Sequence, residues 1–292
     1  MKDLQLGALQ ISRVQEGENP LPLSMALNGV TRQDLIRLQR WYRDPFLRDD
    51  PVEAGLLLSI HSFVLRIDGL TILIDSCNGN HKQRSLAFVH MLETDYLARL
   101  ARAGCHVNDI DIVMCTHLHA DHVGWNTRLD NGRWVPTFPN ARYLFGRVDY
   151  EFFSQQTHEE FHREAYQDSV LPVIEAGRAE LIENDAIVHR EIGDGLWLES
   201  AAGHSPGNLC IHAERGRGHA IFSGDCFHHP IQLIRPDLPF FADASSADAV
   251  AVRKRLMETY ADTSAVFFPA HFAGATAGRV FRDGDAFRYG YL

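Results

Sequence analysis

The stretch Thr116-His117-Leu118-His119-Ala120-Asp121-His122-Val123-Gly124 constrains this chain more than any other. It places three imidazoles and one carboxylate directly behind the apolar run Ile110-Asp111-Ile112-Val113-Met114-Cys115, which reads as a buried strand ending at the cluster. At a strand end, residues two apart point the same way. His117 and His119 can therefore grip one ion, while Asp121 and His122, as the chain turns away, face a second. Imidazole with carboxylate suits zinc and its neighbours better than calcium or magnesium, which prefer all-oxygen shells.

A site for two ions needs more ligands than one loop provides, and each should sit where a strand ends. Three later segments meet that condition. Ala202-Gly203-His204-Ser205-Pro206-Gly207 follows a strand at Leu196 to Ser200, Ser223-Gly224-Asp225 follows one at Ala220 to Phe222, and Pro269-Ala270-His271 follows one at Val266 to Phe268. Any one of these would ordinarily be a loop residue. Together, all behind apolar runs and downstream of the first motif, they favour the ligand reading.

The order His-x-His-x-Asp-His, Gly-His-Ser-Pro-Gly, Ser-Gly-Asp, Pro-Ala-His, spanning positions 117 to 271, resembles the metallo-β-lactamase superfamily. The resemblance implies an α/β fold of four αβ/βα layers: two mixed sheets face to face, helices outside, and a binuclear metal site at one edge. Carried over, His117, His119 and His204 would hold the first ion, Asp121, His122 and His271 the second, and Asp225 would bridge them. Within the superfamily the likeness is to the N-acyl-homoserine lactonases and the methyl parathion hydrolase group. Some of those lactonases carry a Tyr three residues after the bridging Asp. This chain has His228 there, which looks more like the organophosphate-hydrolase side of the group.

The function that follows is a zinc-dependent hydrolase acting on a small lactone or ester. Two divalent ions sharing a water lower its pKa from about 16 to near 7, so hydroxide can attack the carbonyl without a nucleophilic Ser or Cys. Asp121 is the candidate to carry the proton to the leaving oxygen. His228 is a candidate donor to the developing oxyanion or a residue that orients Asp225, and both roles stand open. Trp125, Phe227, Phe240 and Phe241 are candidate pocket walls, while Cys226, adjacent to Asp225, should face the core. The same ions would serve a phosphotriesterase, an arylesterase or a glyoxalase-type thioesterase. Readings of a different kind are a di-iron redox scaffold, which ordinarily needs a flavin partner domain, and an inactive binding module, which would have no use for seven ligands.

Composition narrows the partners. The 292 residues carry a net charge of -10 with no long basic run, which argues against nucleic acid, and no apolar run is long enough to span a bilayer. Five cysteines without a CxxC pair predict buried thiols rather than a disulfide framework. With Met1-Lys2-Asp3-Leu4 lacking the apolar core of a signal peptide, a cytoplasmic protein is expected, compatible with a homodimer.

Along the chain, patterning predicts a first strand at Leu4 to Ile11, and strands at Ser59 to Ile67 and Leu70 to Asp75 joined by Asp68-Gly69. Further strands are predicted at 142–145, 196–200, 209–213, 220–223 and 265–268. Helices are predicted at Thr31 to Tyr42, Leu92 to Arg102, within Val148 to Ala176, and from Ser245, where Ser245 and Asp248 fit a capping box. His158 and His162 read as a solvated face, and the loop from Asp75 to Lys82 as either a plain turn or a contact with the site. The absence of repeats or linkers favours one domain over 1–292, with an insertion at about 19–55 whose Trp41, Tyr42 and Phe46 could cap the site.

Overall fold

The computed structural model describes residues 3–155, 160–186 and 195–292. Its strands are β1 (Leu4–Leu6), β2 (Leu9–Pro22), β3 (Gly55–Ile67), β4 (Leu70–Ile74), β5 (Ile112–Met114), the hairpin β6 (Thr127–Asp130) and β7 (Arg133–Pro136), β8 (Arg142–Gly146) and β9 (Ala179–Ile182). They continue as β10 (Leu196–Ser200), β11 (Leu209–Arg215), β12 (Gly218–Phe222), β13 (Val266–Phe268), β14 (Gly278–Asp283) and β15 (Ala286–Tyr291). One sheet runs β1-β2-β3-β4-β5-β8-β9 and the other β10-β11-β12-β13-β14-β15. Both are mixed: β4, β5, β8 and β9 are mutually parallel, as are β12 and β13, and the remaining pairs are antiparallel.

Alternation along each strand gives each sheet two apolar faces, which is why four layers form. The inner faces meet in one cluster, with Phe63, Leu65, Ile72, Ile74 and Met114 against Leu198, Ile211, Phe222 and Phe268. The outer face of the first sheet, through Val64, Leu73, Val113 and Phe145, takes Tyr96 and Leu100 of the helix Tyr96–Arg102 and Phe153 of the helix Arg147–Phe153. That of the second, through Ile221 and Phe267, takes Leu256 and Met257 of the helix Ser246–Tyr260. The α/β sandwich of two mixed sheets flanked by helices is therefore the observed architecture. Ser245 caps the last of these helices, accepting from the Asp248 N–H as its spacing predicts.

Several elements differ from the sequence reading. The predicted strand at Leu4 to Ile11 is two strands, because Gly7, at φ +62°, turns the chain between β1 and β2, and the apolar alternation changes phase there, from Leu4 and Leu6 to Leu9 and Ile11. Residues 19–22 belong to β2; in the segment that follows, a short helix stands at Leu23–Ala26 and the helix predicted from Thr31 to Tyr42 is confined to Arg32–Leu38 behind a Thr31 and Asp34 capping box. The segment at 148–176 divides into Arg147–Phe153, Glu160–Ala165, a π-turn at Tyr166–Val170 and Leu171–Glu175. His158 lies outside the described residues. The hairpins β6–β7, turned at Asn131-Gly132, and β14–β15, turned at Gly284-Asp285, carry two-residue turn signals that the sequence reading passed over, whereas the edge strand β9 has no clear signal. No described helix is long and apolar enough to cross a membrane, and all five cysteines are free and buried.

On the outer face of the second sheet, Glu199 accepts from His212 Nε2 at 2.9 Å and from the Tyr260 hydroxyl at 3.1 Å, and it pairs with Arg255. Burial opposes its ionisation, but His212 and Arg255 outweigh burial and hold its pKa down at about 2, against an ordinary 4.5. A depressed carboxylate stabilises the fold above its unfolded pKa and loses that contribution as pH falls through the folded value. Glu199→Gln is expected to cost about 1 kcal/mol at neutral pH, discounted for partial exposure, and progressively less below about pH 4.5. Urea unfolding of both proteins at neutral and acid pH measures this, and a difference that does not shrink in acid contradicts it.

Candidate metal centre

Strands β4, β5, β12 and β13 end at the same edge of the sandwich, and the loops that follow carry the chemistry. Asp75 closes β4 in a left-handed backbone conformation, φ +56°. Its carboxylate accepts from the Thr116 N–H at 2.8 Å and from the Thr116 hydroxyl at 2.9 Å, which ties that strand end to the loop bearing His117 and His119. Asp149 accepts from the Leu118 N–H at 3.1 Å, the Ser205 hydroxyl at 2.9 Å and the Gly207 N–H at 2.6 Å, joining that loop to the one bearing His204. Burial pushes the Asp149 carboxyl up to about 6 against the pull of those donors. Gly224, at φ +49°, brings Asp225 against the same loop; a Cβ there would lie 2.8 Å from Thr116 Cβ.

The imidazoles are oriented from outside. His122 Nδ1 lies 2.9 Å from Asp75 Oδ2, His204 Nδ1 3.0 Å from Asp243 Oδ1, and His271 Nδ1 3.0 Å from the Ser59 carbonyl. His117 Nδ1 lies 3.1 Å from the Thr116 hydroxyl. A ring that donates its Nδ1–H outward turns the lone pair of Nε2 inward, which is the tautomer a metal ligand needs. His119 is reversed: its Nδ1 meets His117 Nε2 at 3.0 Å and His204 Nε2 at 2.9 Å.

Asp225 sits among these nitrogens, buried. Its Oδ2 is 3.1 Å from His204 Nε2, 3.1 Å from His271 Nε2 and 3.2 Å from His228 Nε2, and its Oδ1 is 3.3 Å from His122 Nε2. Asp121 Oδ2 approaches His122 Nε2 at 3.7 Å and His271 Nε2 at 3.5 Å. Burial works against charge on Asp225 and on each of these imidazoles. The imidazoles His271, His122 and His204 nevertheless hold Asp225 well below the usual carboxylate range. Burial depresses His204 too, but Asp225 and Asp243 outweigh it and lift that ring to about 9, and Asp225 likewise raises His122 and His271. His117 and His119 stay well below the ordinary histidine range, through burial and then through the charge of His122 and His204 respectively.

The donor set fits divalent cations. One proton cannot serve the contacts of His119 Nδ1 with two neighbours, and His122 Nε2 and Asp225 Oδ1 are buried without a hydrogen-bond partner among the described residues. Four groups of side chains place one ligand atom each within 4.8 Å of one another: His117, His119 and His204; His117, His122 and Asp225; Asp121, His122 and His271; and His204, His228 and Asp243, the last of which draws on two residues outside the predicted ligand set. All seven candidate ligands thus come together at one edge. Cations between these converging lone pairs would satisfy contacts that protons alone cannot.

The other candidates divide. His228 is fully buried, with its ring stacked on Phe240 at 3.6 Å between centroids. Phe240 therefore walls the site and Phe241, half exposed, adjoins it. Trp125 is core, stacked on Tyr96 and donating to Glu16 Oε1 at 2.6 Å, and Phe227 packs behind the second sheet. Cys226 faces the core, 3.7 Å from Cys210 Sγ. Tyr42 is buried edge-on to His229, whereas Phe46 is exposed. His162 is no solvated-face residue: it stacks on His119. Sequence reasoning also missed Asp149 and Asp243, which reach the site from a helix and a loop without any motif of their own. Asp75 opened a loop in which contact with the site had been one of two readings.

Residues 55–271 match the Metallo-beta-lactamase superfamily profile. An N-acyl homoserine lactonase of Bacillus thuringiensis is 26% identical over 183 residues, covering 62% of this chain and 64% of that relative. One from Bacillus cereus is 26% identical over 182 residues with the same coverage. The matched region spans just under two thirds of those relatives' length. Among solved structures, the hydrolase AbOPH of the beta lactamase superfamily superposes with TM-score 0.81 at 20% identity, covering 99% of this chain and 96% of that one. AidC, a dizinc quorum-quenching lactonase in complex with its product, also gives 0.81, at 19% identity, covering 100% and 97%. At such identities the likeness is one of fold.

Two carboxylates outside the cluster, Asp75 and Asp243, orient His122 and His204. Asn keeps the shape of each but presents an amide N–H to the ring, and Asn tolerates the left-handed backbone at position 75. Asp75→Asn and Asp243→Asn are each expected to weaken zinc uptake about 10- to 100-fold. Competition with a chromophoric chelator measures this, and unchanged affinity in both variants contradicts the orienting role.

Proposed function

We propose that this chain, which belongs to the metallo-beta-lactamase superfamily, is a dinuclear zinc hydrolase that opens a lactone or cleaves a small ester. The observation that carries the reading is the convergence of His117, His122, His204 and His271, all tied outward through Nδ1, on the buried carboxylate of Asp225, with His119 Nδ1 meeting His117 and His204 beside it. His117, His119 and His204 would hold one ion, Asp121, His122 and His271 the other, and Asp225 would contact both. When bound, two such cations supply Lewis acidity toward a carbonyl oxygen and bring the pKa of water to about 7.

The chain's own residues do the rest. Asp121 has the most accessible carboxylate of the cluster, its side chain 25% exposed, beside His122 and His271. It is placed to accept a proton from the attacking water and return it to the leaving oxygen. His228 has no solvent-facing surface and its Nε2 lies 3.2 Å from Asp225 Oδ2, though neither ring nitrogen is hydrogen-bonded among the described residues; this supports a place beside Asp225 rather than in contact with the substrate. Phe240 and Phe241 form an apolar wall suited to the hydrocarbon part of a neutral substrate. The relatives named as N-acyl homoserine lactonases and the product-bound lactonase make an acylated lactone the first substrate to try. His228 favours a second reading, a phosphotriesterase or arylesterase, because some lactonases that this sequence resembles carry a Tyr at that position.

Metal analysis of the purified protein is expected to give two zinc equivalents. Of an acyl homoserine lactone, an aryl ester, a phosphotriester and a thioester, the lactone is expected to turn over fastest. Asp121→Ala should lower kcat by about 10²- to 10⁴-fold, the usual range for a positioned proton carrier. Turnover that survives both metal removal and Asp121→Ala rejects the mechanism, and a dominant phosphotriester activity selects the second reading.

A further inference from the structure

His119 is the most exposed imidazole of the cluster, 8% accessible where His117 and His122 are at 1%, His204 at 2% and His271 at 4%. It is also the one ring whose ligand-facing nitrogen is Nδ1, with no outward Nδ1 contact to fix it. Something else must set the plane in which it presents that nitrogen. His117, His204 and Phe153 meet the ring at 84–88°. His162 lies against it nearly parallel, 5.3 Å between centroids and 16° between planes. Phe153, buried on the helix Arg147–Phe153, stands at 88° to His119 and at 86° to His162, so one ring aligns both plates.

The helix bearing His162 is itself tethered. It runs Glu160–Ala165 into the π-turn Tyr166–Val170, an irregularity often found beside functional sites. Asp168 in that turn takes two hydrogen bonds from Arg84, at 2.6 and 3.0 Å. Lys82 Nζ donates to the Asp168 carbonyl at 3.0 Å and to Thr127 Oγ1 at 2.6 Å, and lies 3.6 Å from the centre of the Trp134 ring. The Ser85 N–H donates to Glu164 Oε2 at 2.9 Å. Two buried cations and a backbone donor thus pin the helix at its C-terminal end.

We infer that His162 is a positioning residue for His119: its ring, aligned by Phe153 and anchored through the Asp168 latch, fixes the plane in which His119 offers Nδ1 to an ion. The inference rests on the dinuclear reading and goes beyond it, since His162 belongs to none of the ligand sets. What matters is the planar ring and not its nitrogens. His162→Phe keeps the plate and His162→Ala removes it. His162→Leu fills the volume without a plane and takes the place of the alanine protein if that one fails to fold.

The readout is the affinity for each ion by chelator competition, together with the visible spectrum of the cobalt-loaded protein, which reports ligand geometry without turnover. His162→Ala or His162→Leu should weaken one of the two ions about 10-fold or more and alter the spectrum, as losing an outer partner of a ligand histidine ordinarily does. His162→Phe should restore both toward wild type. Wild-type affinities in the alanine or leucine protein overturn the inference alone, as does a phenylalanine protein as weak as alanine. A wild-type protein that takes up no ion overturns the dinuclear reading and this inference with it.

Discussion

The carboxylate of Asp225 is the constraint to which the rest of the molecule answers. An ionised carboxylate removed from water costs several kcal/mol unless opposite charge and hydrogen bonds surround it. Here the surrounding groups are imidazoles, and the nearest nitrogens stand 3.1–3.3 Å away. The imidazoles answer unevenly: Asp225 holds His122, His204 and His271 toward the charged form, while burial and mutual repulsion push His117, His119 and His228 toward neutrality. Protein groups alone leave the charge only partly offset, with Asp225 Oδ1 and His122 Nε2 lacking partners. Cations held by these ligands would satisfy both atoms, so the site and the charge balance of this edge of the fold are one problem.

Holding so many like groups together demands rigidity from behind. Asp75, Asp149 and Asp243 provide it, each spending its carboxylate on two or more donors from loops that would otherwise be independent. Arg253 braces the same edge from the last long helix: fully buried, it donates to the carbonyls of Cys226, Pro236 and Leu238 at 2.8–2.9 Å. The chain after Asp225 therefore cannot shift without stranding a buried guanidinium. Pairing of β4 with β5 and of β12 with β13, both parallel, brings the strand ends into register at one edge, which is where ligand chemistry collects in open α/β sheets.

The parts of this arrangement that were legible in the sequence are those written locally. His117, His119, Asp121 and His122 share one loop, and His204, Asp225 and His271 each follow an apolar run, so strand-end logic finds them. Asp149 and Asp243 carry no such mark, because their role exists only once a helix and a distant loop have docked. His162 was misread for the same reason. Spacing along a helix says which residues share a face but not what that face meets, and here it meets His119. The turn at Gly7 is written only as a change of phase, Leu4 and Leu6 giving way to Leu9 and Ile11, which over eight residues passes for one strand. The β14–β15 hairpin was legible and missed: exposed positions such as Arg282 and Arg288 belong to the alternation of an edge hairpin, and Gly284-Asp285 supplies its two-residue turn.

The insertion after β2 shows how far the site reaches. One apolar cluster joins its Leu35, Leu38 and Tyr42 to Ile231, Ile234 and Phe240, on the segment that carries His228 and His229. Asp34 pairs with Arg235 at 3.0 Å, and Asp44 Oδ2 stands 3.6 Å from His229 Nε2. A lid free to swing would keep such contacts few and polar, since each buried apolar side chain adds roughly 1.5–3 kcal/mol to the cost of opening. Leu35 and Leu38 are fully buried here, so opening this element would expose both. The segment between β2 and β3 thus packs as a buttress: it is in one apolar cluster with Phe240, on which the ring of His228 stacks with its Nε2 3.2 Å from Asp225 Oδ2, so this edge is braced by residues far upstream in the chain.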